Sequence, residues 1–217
     1  MADRQGWNMI RAFLAVELSE DLRRQIDLVQ QDLKQRLGCE SSTNIRIGWV
    51  QPSSIHFTVK FLGDTDEGQI EPLREAVQRA IAGQGIIHIP IERLGVFPRL
   101  QQPRVLWVGP SEQWEQGDDA KRLTERHRVV EDYCQAFGFS PEGRPLSPHL
   151  TLARVKEGER HIGQALAKSG AMDRPISLGL LAVESIVLMK SELRPTGSVY
   201  TKLWVVRTGG NCCHDVT

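Results

Sequence analysis

The sequence predicts an α+β, bilobal protein: two pseudo-symmetric lobes, each an antiparallel-rich sheet with flanking helices, meeting at a central cleft. Three observations predict it. Short runs rich in β-branched and aromatic residues alternate with amphipathic helical runs. The order of these elements occurs twice. "HFTVKFLG" (56–63) is followed by a helix, a strand and a strand carrying "VLWV", and "HLTLARVK" (149–156) by a helix, a strand and a strand carrying "KLWV". The spacing also repeats, 51 residues from His56 to Trp107 and 55 from His149 to Trp204, as a divergent internal duplication requires. With 217 residues, 40% of them hydrophobic, the chain has enough apolar material for such a core. Residues 10–208 are expected to form one bilobal domain, with 1–9 an N-terminal tail and 209–217 a flexible C-terminal tail.

In chain order, "RAFLAVEL" (11–18) reads as a strand. The following helix runs to Gly38, with Ser19 as N-cap, Glu20 and Asp21 in its first turn and Leu22, Ile26, Val29, Leu33 and Leu37 on one face. "IRIGWVQP" is a short strand ended by Pro52, and "SIHFTVKFLG" (54–63) is another. Residues 64–83 read as a helix with Ile70, Leu73, Val77 and Ile81 on one face. "GIIHIPIERLGVFP" and "RVLWVGP" read as strands, and "SEQWEQGDD" as a polar loop. A helix from about Ala120 to Phe137 leads into a Pro/Gly-rich loop and the strand "HLTLARVK". A short helix near 159–168 and two strands, "ISLGLLAVESIVLMKSEL" and "VYTKLWVVR", complete the chain.

Totals exclude several classes. The 27 basic and 27 acidic residues balance, without the basic excess of a protein that coats long nucleic acid, though a local basic pocket is compatible. The four cysteines show neither a disulfide framework nor zinc-site spacing. The start of the chain lacks the pattern of a signal peptide, and the longest apolar run is too short to span a bilayer. A cytoplasmic, monomeric protein with no membrane association and no obligate protein partner is expected.

The chemistry concentrates in the two H-x-T-x segments. Alternate residues of a strand share a face, so His56 and Thr58 point one way, as do His149 and Thr151. If the duplication is symmetric, both pairs face the cleft. Two imidazoles there supply a general base and a general acid near neutral pH, and two hydroxyls supply donors for non-bridging phosphate oxygens. Arg154 offers a guanidinium fork, but strict alternation sets it on the wrong face unless the strand has ended, bulged or twisted by Ala153. Lys60 shares the face of His56 in strict alternation and is the other candidate cation. From the residues alone the two histidines are equivalent, and which one is the acid stays open.

The pieces "RAFLAVELSEDLRRQI", "GWVQPSSIHFTVKFLGD", "GVFPRLQQPRVLWVG", "GFSPEGRPLSPHLTLARV" and "SIVLMKSELRPTGSVYTKLW" resemble the two-histidine (2H) phosphoesterases of LigT/ThpR type, the RNA 2′,3′-cyclic phosphodiesterases, over roughly residues 10–207. The resemblance implies a bilobal α+β fold with the histidines in the central cleft and no metal or cofactor. It implies that His56 is the proton donor and His149 the proton acceptor, with Thr58, Thr151 and Arg154 binding phosphate. It implies hydrolysis of a 2′,3′-cyclic phosphate RNA end to a 2′-phosphate, and a weak reverse 2′–5′ ligase activity. The stretches "CESSTNI" and "SEQWEQGDDAKR" look longer than the family's, and the tail "GGNCCHDVT" has no family counterpart.

Other readings of the same residues remain. A non-catalytic protein that binds RNA ends or nucleotides would have lost a histidine, and both are present. A metallohydrolase would need carboxylates or a third histidine beside His56 and His149. A related exonuclease attacking with a 2′-hydroxyl shares both histidines and differs only in product. Trp107 and Trp204 read as core, Phe97 as packing or a nucleobase platform, His88 as strand surface, and His127 and His161 as solvated. His214 with Cys212 and Cys213 lacks a fourth ligand for a structural metal site.

Overall fold

The computed structural model describes residues 8–38, 45–194 and 197–209. The Cys212–Cys213–His214 cluster and Cys39 lie outside them. Strand β1 (Met9–Glu17) leads to helix α1 (Glu20–Gly38), and the Ser19 hydroxyl accepts from the Leu22 N–H at 3.3 Å, the expected cap. Then follow β2 (Arg46–Trp49), β3 (His56–Asp66), α2 (Ile70–Ile81), β4 (Ile87–Pro90), β5 (Arg93–Phe97), β6 (Val105–Gly109), α3 (Glu112–Glu115), α4 (Asp118–Ala136), β7 (Leu150–Glu157), α5 (Glu159–Lys168), β8 (Leu180–Val183), β9 (Ser185–Arg194) and β10 (Gly197–Arg207).

Three boundaries differ from the sequence expectation. β3 continues through Asp66, so α2 starts only at Ile70, after a short turn in which the Asp66 carboxylate accepts from the Gly68 N–H. The stretch read as the loop "SEQWEQGDD" contains α3, capped by the Ser111 hydroxyl. The stretches 85–98 and 176–193 each hold two strands, because the chain changes sheet at Ile91–Glu92 and at Glu184.

Among the described residues every strand pairing is antiparallel. One sheet runs β10-β9-β1-β3-β7-β6-β5 with β2 on the side of β7, and β4 pairs with β8 separately. The large sheet consists of two four-stranded halves joined at a single residue pair, Phe57 opposite Leu150. The repeated units do not each build their own half. β5 and β6, which follow the first H-x-T-x strand, join the second one, β7, and β9 and β10 join β3 through β1. β4 and β8 pair with each other where the two units cross. Each half of the cleft is therefore made by both copies.

The core is continuous, from Leu14, Ile26 and Leu33 through Phe57, Leu73 and Val77 to Leu150, Leu152 and Leu188, all almost fully buried. Trp107 and Trp204 are buried as expected, and the Trp204 indole N–H ties β10 to α2 by donating to the Ile70 carbonyl at 3.1 Å. His88 and His161 are exposed. No helix among the described residues is long and apolar enough to cross a membrane.

Candidate active site

His56 opens β3 and His149 immediately precedes β7, the adjoining strand, and both line one cleft of ≈ 280 Å³ together with Thr58, Thr151 and Arg154. Each imidazole is held the same way. Nδ1 of His56 lies 2.8 Å from the Ser54 carbonyl, and Nδ1 of His149 lies 2.8 Å from the Ser147 carbonyl. A carbonyl only accepts, so each Nδ1 carries the hydrogen and each Nε2 is left to exchange a proton. The turn that presents Ser54 is itself anchored, since Arg23 of α1 donates to the Ser53 carbonyl at 2.6 Å and to that of Leu18 at 3.2 Å.

Aromatic rings fix the other faces. Phe13 and Tyr200 lie 4.7 and 5.2 Å from the His56 ring. Phe97 meets His149 edge-on at 5.0 Å and stacks on Trp107 at 5.1 Å. Phe97 thus packs behind the histidine. Sequence reasoning missed Phe13 and Tyr200. The only signal was the tyrosine of "GSVY", since neither contact follows from local spacing.

Two bulges decide which cations face the cleft. In β7 the register against β6 slips between Leu106 and Trp107, leaving Leu152 unmatched. The slip restores Arg154, exposed and lining the cleft, to the face of His149 and Thr151. In β3 the register against β1 slips at the equivalent place, leaving Val59 unmatched. Here the consequence is opposite for the candidate cation. Lys60 turns into the core, 1% exposed, and its ammonium meets Glu131 at 2.8 and 2.9 Å and the Ser140 carbonyl at 2.9 Å. Strict alternation put Lys60 beside His56; the bulge removes it from the cleft and turns Phe61 outward instead.

A polar side chain from a helix stands at each bulge, Gln30 at that of β7 and His127 at that of β3. Nε2 of Gln30, on α1, donates to the carbonyls of Leu152 at 2.9 Å and Val50 at 2.8 Å. His127, on α4, stands beside the Val59 backbone and lies 3.8 Å from Glu131. The expectation that His127 is solvated therefore fails. Its side chain is only 13% exposed, because α4 packs it against β3.

Burial pulls the pKa of both cleft histidines below the ordinary imidazole range, partly offset by the carbonyl on each Nδ1, and the Arg154 charge pushes both further down. For His56, Arg23 and His149 act in the same direction. Among the described residues, no carboxylate lines the cleft, and no group of three or more His, Cys, Asp or Glu side chains is placed to hold a metal ion. Arg11, which the sequence reading did not single out, adds a second guanidinium to the lining. The site is a cationic cleft with two imidazoles and several hydroxyl side chains, Thr58 and Thr151 among them, suited to an anionic phosphoester. A wider groove of ≈ 680 Å³ adjoins it at His56 and Tyr200, bordered by Arg23 and by the Lys202–Glu17 ion pair.

The family model described as LigT like Phosphoesterase matches residues 16–107 and 116–200. Proteins named RNA 2′,3′-cyclic phosphodiesterase are similar along most of their length. One from Methanothermobacter thermautotrophicus is 35% identical over 91% of this chain and 98% of its own, and one from Aeropyrum pernix 32% identical over 78% and 90%. Among solved structures, Escherichia coli LigT in apo form superposes with a TM-score of 0.68 at 20% identity, covering 93% of this chain and 99% of that one. A Thermus thermophilus protein gives 0.67 at 24% identity, covering 93% and 100%. On the family match and these relatives, the chain belongs to the LigT-like phosphoesterases, a two-histidine family.

Proposed function

We propose that the protein hydrolyses 2′,3′-cyclic phosphate ends of RNA to 2′-phosphates, with His149 as general base and His56 as general acid. The observation that carries this reading is the matched pair of imidazoles, each with Nδ1 tied to a carbonyl and Nε2 left free, in one cleft without carboxylates among the described residues. The names of the relatives support the substrate class.

The chemistry follows from the groups present. Nε2 of His149 takes a proton from water as its oxygen attacks phosphorus. The bond from phosphorus to the 3′ oxygen breaks, and His56, protonated at Nε2, supplies the proton to that oxygen. The products are a 2′-phosphate monoester and a free 3′-hydroxyl. Thr58 and Thr151 donate to the non-bridging oxygens, and the Arg154 guanidinium compensates their charge as it grows. Each proton transfer contributes roughly 10²–10⁴-fold in rate. Burial in the cleft disfavours imidazolium, and the arriving phosphate anion favours it, so substrate binding itself helps to charge His56. With a 5′-hydroxyl in place of water as the nucleophile, the same groups form a 2′–5′ phosphodiester as the bond to the 3′ oxygen breaks, a weak ligase activity. The groove beside His56 has room and charge for the RNA upstream of the reacting end.

The test is incubation of an RNA ending in a 2′,3′-cyclic phosphate with the protein in excess chelator, followed by identification of the new end. A 2′-phosphate is expected. A 3′-phosphate would contradict His56 as donor to the 3′ oxygen, and loss of activity in chelator would contradict catalysis by the side chains alone.

A further inference from the structure

The chain is neutral overall, yet basic groups gather at the far end of β7. The β7 bulge turns Arg154 into the cleft and Val155 returns to the core, so Lys156 stands outward on the face of Arg154. Opposite Arg154 on β2 is Gly48, and the Lys156 stem lies across its bare backbone, 3.1 Å from where a Cβ would stand. On the other side of β7 the Val155 N–H donates to the Arg104 carbonyl at 2.9 Å. The loop before Arg104 packs so closely on α5 that a Cβ on Gly163 would strike the Leu100 carbonyl. Arg104 thus comes beside Arg160 and His161, and with Gln102 and Gly158 they line an open groove of ≈ 390 Å³. On the helices, surface arginines such as Arg24, Arg122 and Arg128 are paired with acids of the same helix. Arg104, Lys156 and Arg160 are exposed and enter no ion pair among the described residues. Of the nearby acids, Glu157 is taken by Arg46 at 3.2 Å, and Glu159 lines the groove.

We propose that this surface is a backbone-binding track for a second RNA strand, one with a 5′-hydroxyl end, which it lays with that end at His149. This rests on the reading of the cleft as a cyclic-phosphate site. Counted from Arg154, Lys156 lies about 6.6 Å along the strand and Gly158 about 13 Å, steps comparable to the phosphate spacing of an extended single strand. Exposed cations on such a line attract a polyanion, and arginine forks grip its phosphates. Where the track begins selects the occupant. It begins at Arg154, on the strand that follows His149, the group that activates the nucleophile. The chain already joined to the reacting phosphate has the groove on the His56 side. A 5′-hydroxyl end carries phosphates only downstream, as the track extends only one way from His149, and its uncharged hydroxyl can stand against the reacting phosphate. There His149 takes the hydroxyl proton, the oxygen bonds to phosphorus, and the bond to the 3′ oxygen breaks as His56 supplies that oxygen with a proton. The products are a 2′–5′ phosphodiester and a 3′-hydroxyl.

The test compares wild type with the triple variant Arg104→Gln, Lys156→Gln, Arg160→Gln, three exposed positions whose change leaves the core intact. Fluorescence anisotropy reads binding of a single-stranded 5′-hydroxyl RNA, labelled at its 3′ end, across a range of salt. The variant should bind about tenfold more weakly, and the slope of log K against log salt should shrink by about 2. In a reaction of a 2′,3′-cyclic phosphate RNA with excess 5′-hydroxyl strand, the ratio of joined to hydrolysed product should fall about tenfold. The kcat/KM for hydrolysis should stay as in wild type, both on adenosine 2′,3′-cyclic phosphate and on the cyclic-ended RNA. Unchanged binding of the 5′-hydroxyl strand overturns the proposal. So does a KM that rises for the cyclic-ended RNA alone, which would give the track to the substrate's own chain, and so does a loss on the mononucleotide, which would mean that the three residues act through Arg154. If wild type turns over neither substrate, the activity is refuted, and the binding measurement still decides whether the track holds a 5′-hydroxyl strand.

Discussion

Lys60 and Glu131 form an ion pair of 2.8 Å in the core, 71 residues apart, with side chains 0% and 8% exposed. The pair joins the strand that carries His56 to α4. It also reaches the loop that delivers His149, since Lys60 donates to the Ser140 carbonyl and the Glu142 N–H donates to Glu131 at 3.3 Å. Lys60→Met leaves a carboxylate buried without its cation and should cost about 3–5 kcal/mol of stability, whereas Lys60→Met with Glu131→Leu should recover most of it. Denaturant melts of the three variants check this. A single variant as stable as wild type would show that the pair does not hold the fold.

Lys60 also marks where the sequence stops being legible. Period-two reasoning set it beside His56 and Thr58, and it fails there because one unmatched residue, Val59, reverses the parity of Lys60 and Phe61 before a second shift at Leu62. The same reasoning left Arg154 on the wrong face unless the strand ended, bulged or twisted by Ala153, and of these it is a bulge, at Leu152. A bulge is set by its partner strand and by what satisfies its carbonyl, for β7 Gln30 from a distant helix, so it leaves no local pattern. The duplicated H-x-T-x strands, the helix faces and the α1 cap were readable because each depends on local spacing. The crossing of the two units was not, since β5 and β9 look alike whichever half they join.

Gln30 carries a prediction of its own. It is fully buried and holds the Leu152 and Val50 carbonyls. Gln30→Leu leaves Val50 short of a donor and loosens the bulge that aims Arg154. A loss of about 1–3 kcal/mol is expected, together with several-fold weaker inhibition by inorganic phosphate. Reduced stability with unchanged phosphate inhibition would mean that the bulge does not need Gln30 to aim Arg154.

The lowered histidine pKa values fix the sign of the pH response. A base must be neutral, so activity rises as pH climbs through the pKa of His149, and an acid must be protonated, so it falls as pH climbs through that of His56. Burial first, and the Arg154 charge after it, move both limbs to lower pH. The kcat/KM profile should be bell-shaped with its maximum on the acid side of neutrality. Arg154→Gln removes a charge that opposes both imidazolium forms, so its weaker residual activity should peak at higher pH. A flat profile from pH 5 to 9, or an acid shift in Arg154→Gln, would contradict the assignment.

The most direct measurement of the central claim is kcat/KM on a 2′,3′-cyclic phosphate RNA end for wild type, His56→Ala and His149→Ala, with thermal melts of all three. Each variant should lose at least about 10²-fold while melting as wild type does, because each removes one of two proton transfers and neither imidazole is needed for the core. Near-full activity in either folded variant would contradict the two-histidine mechanism.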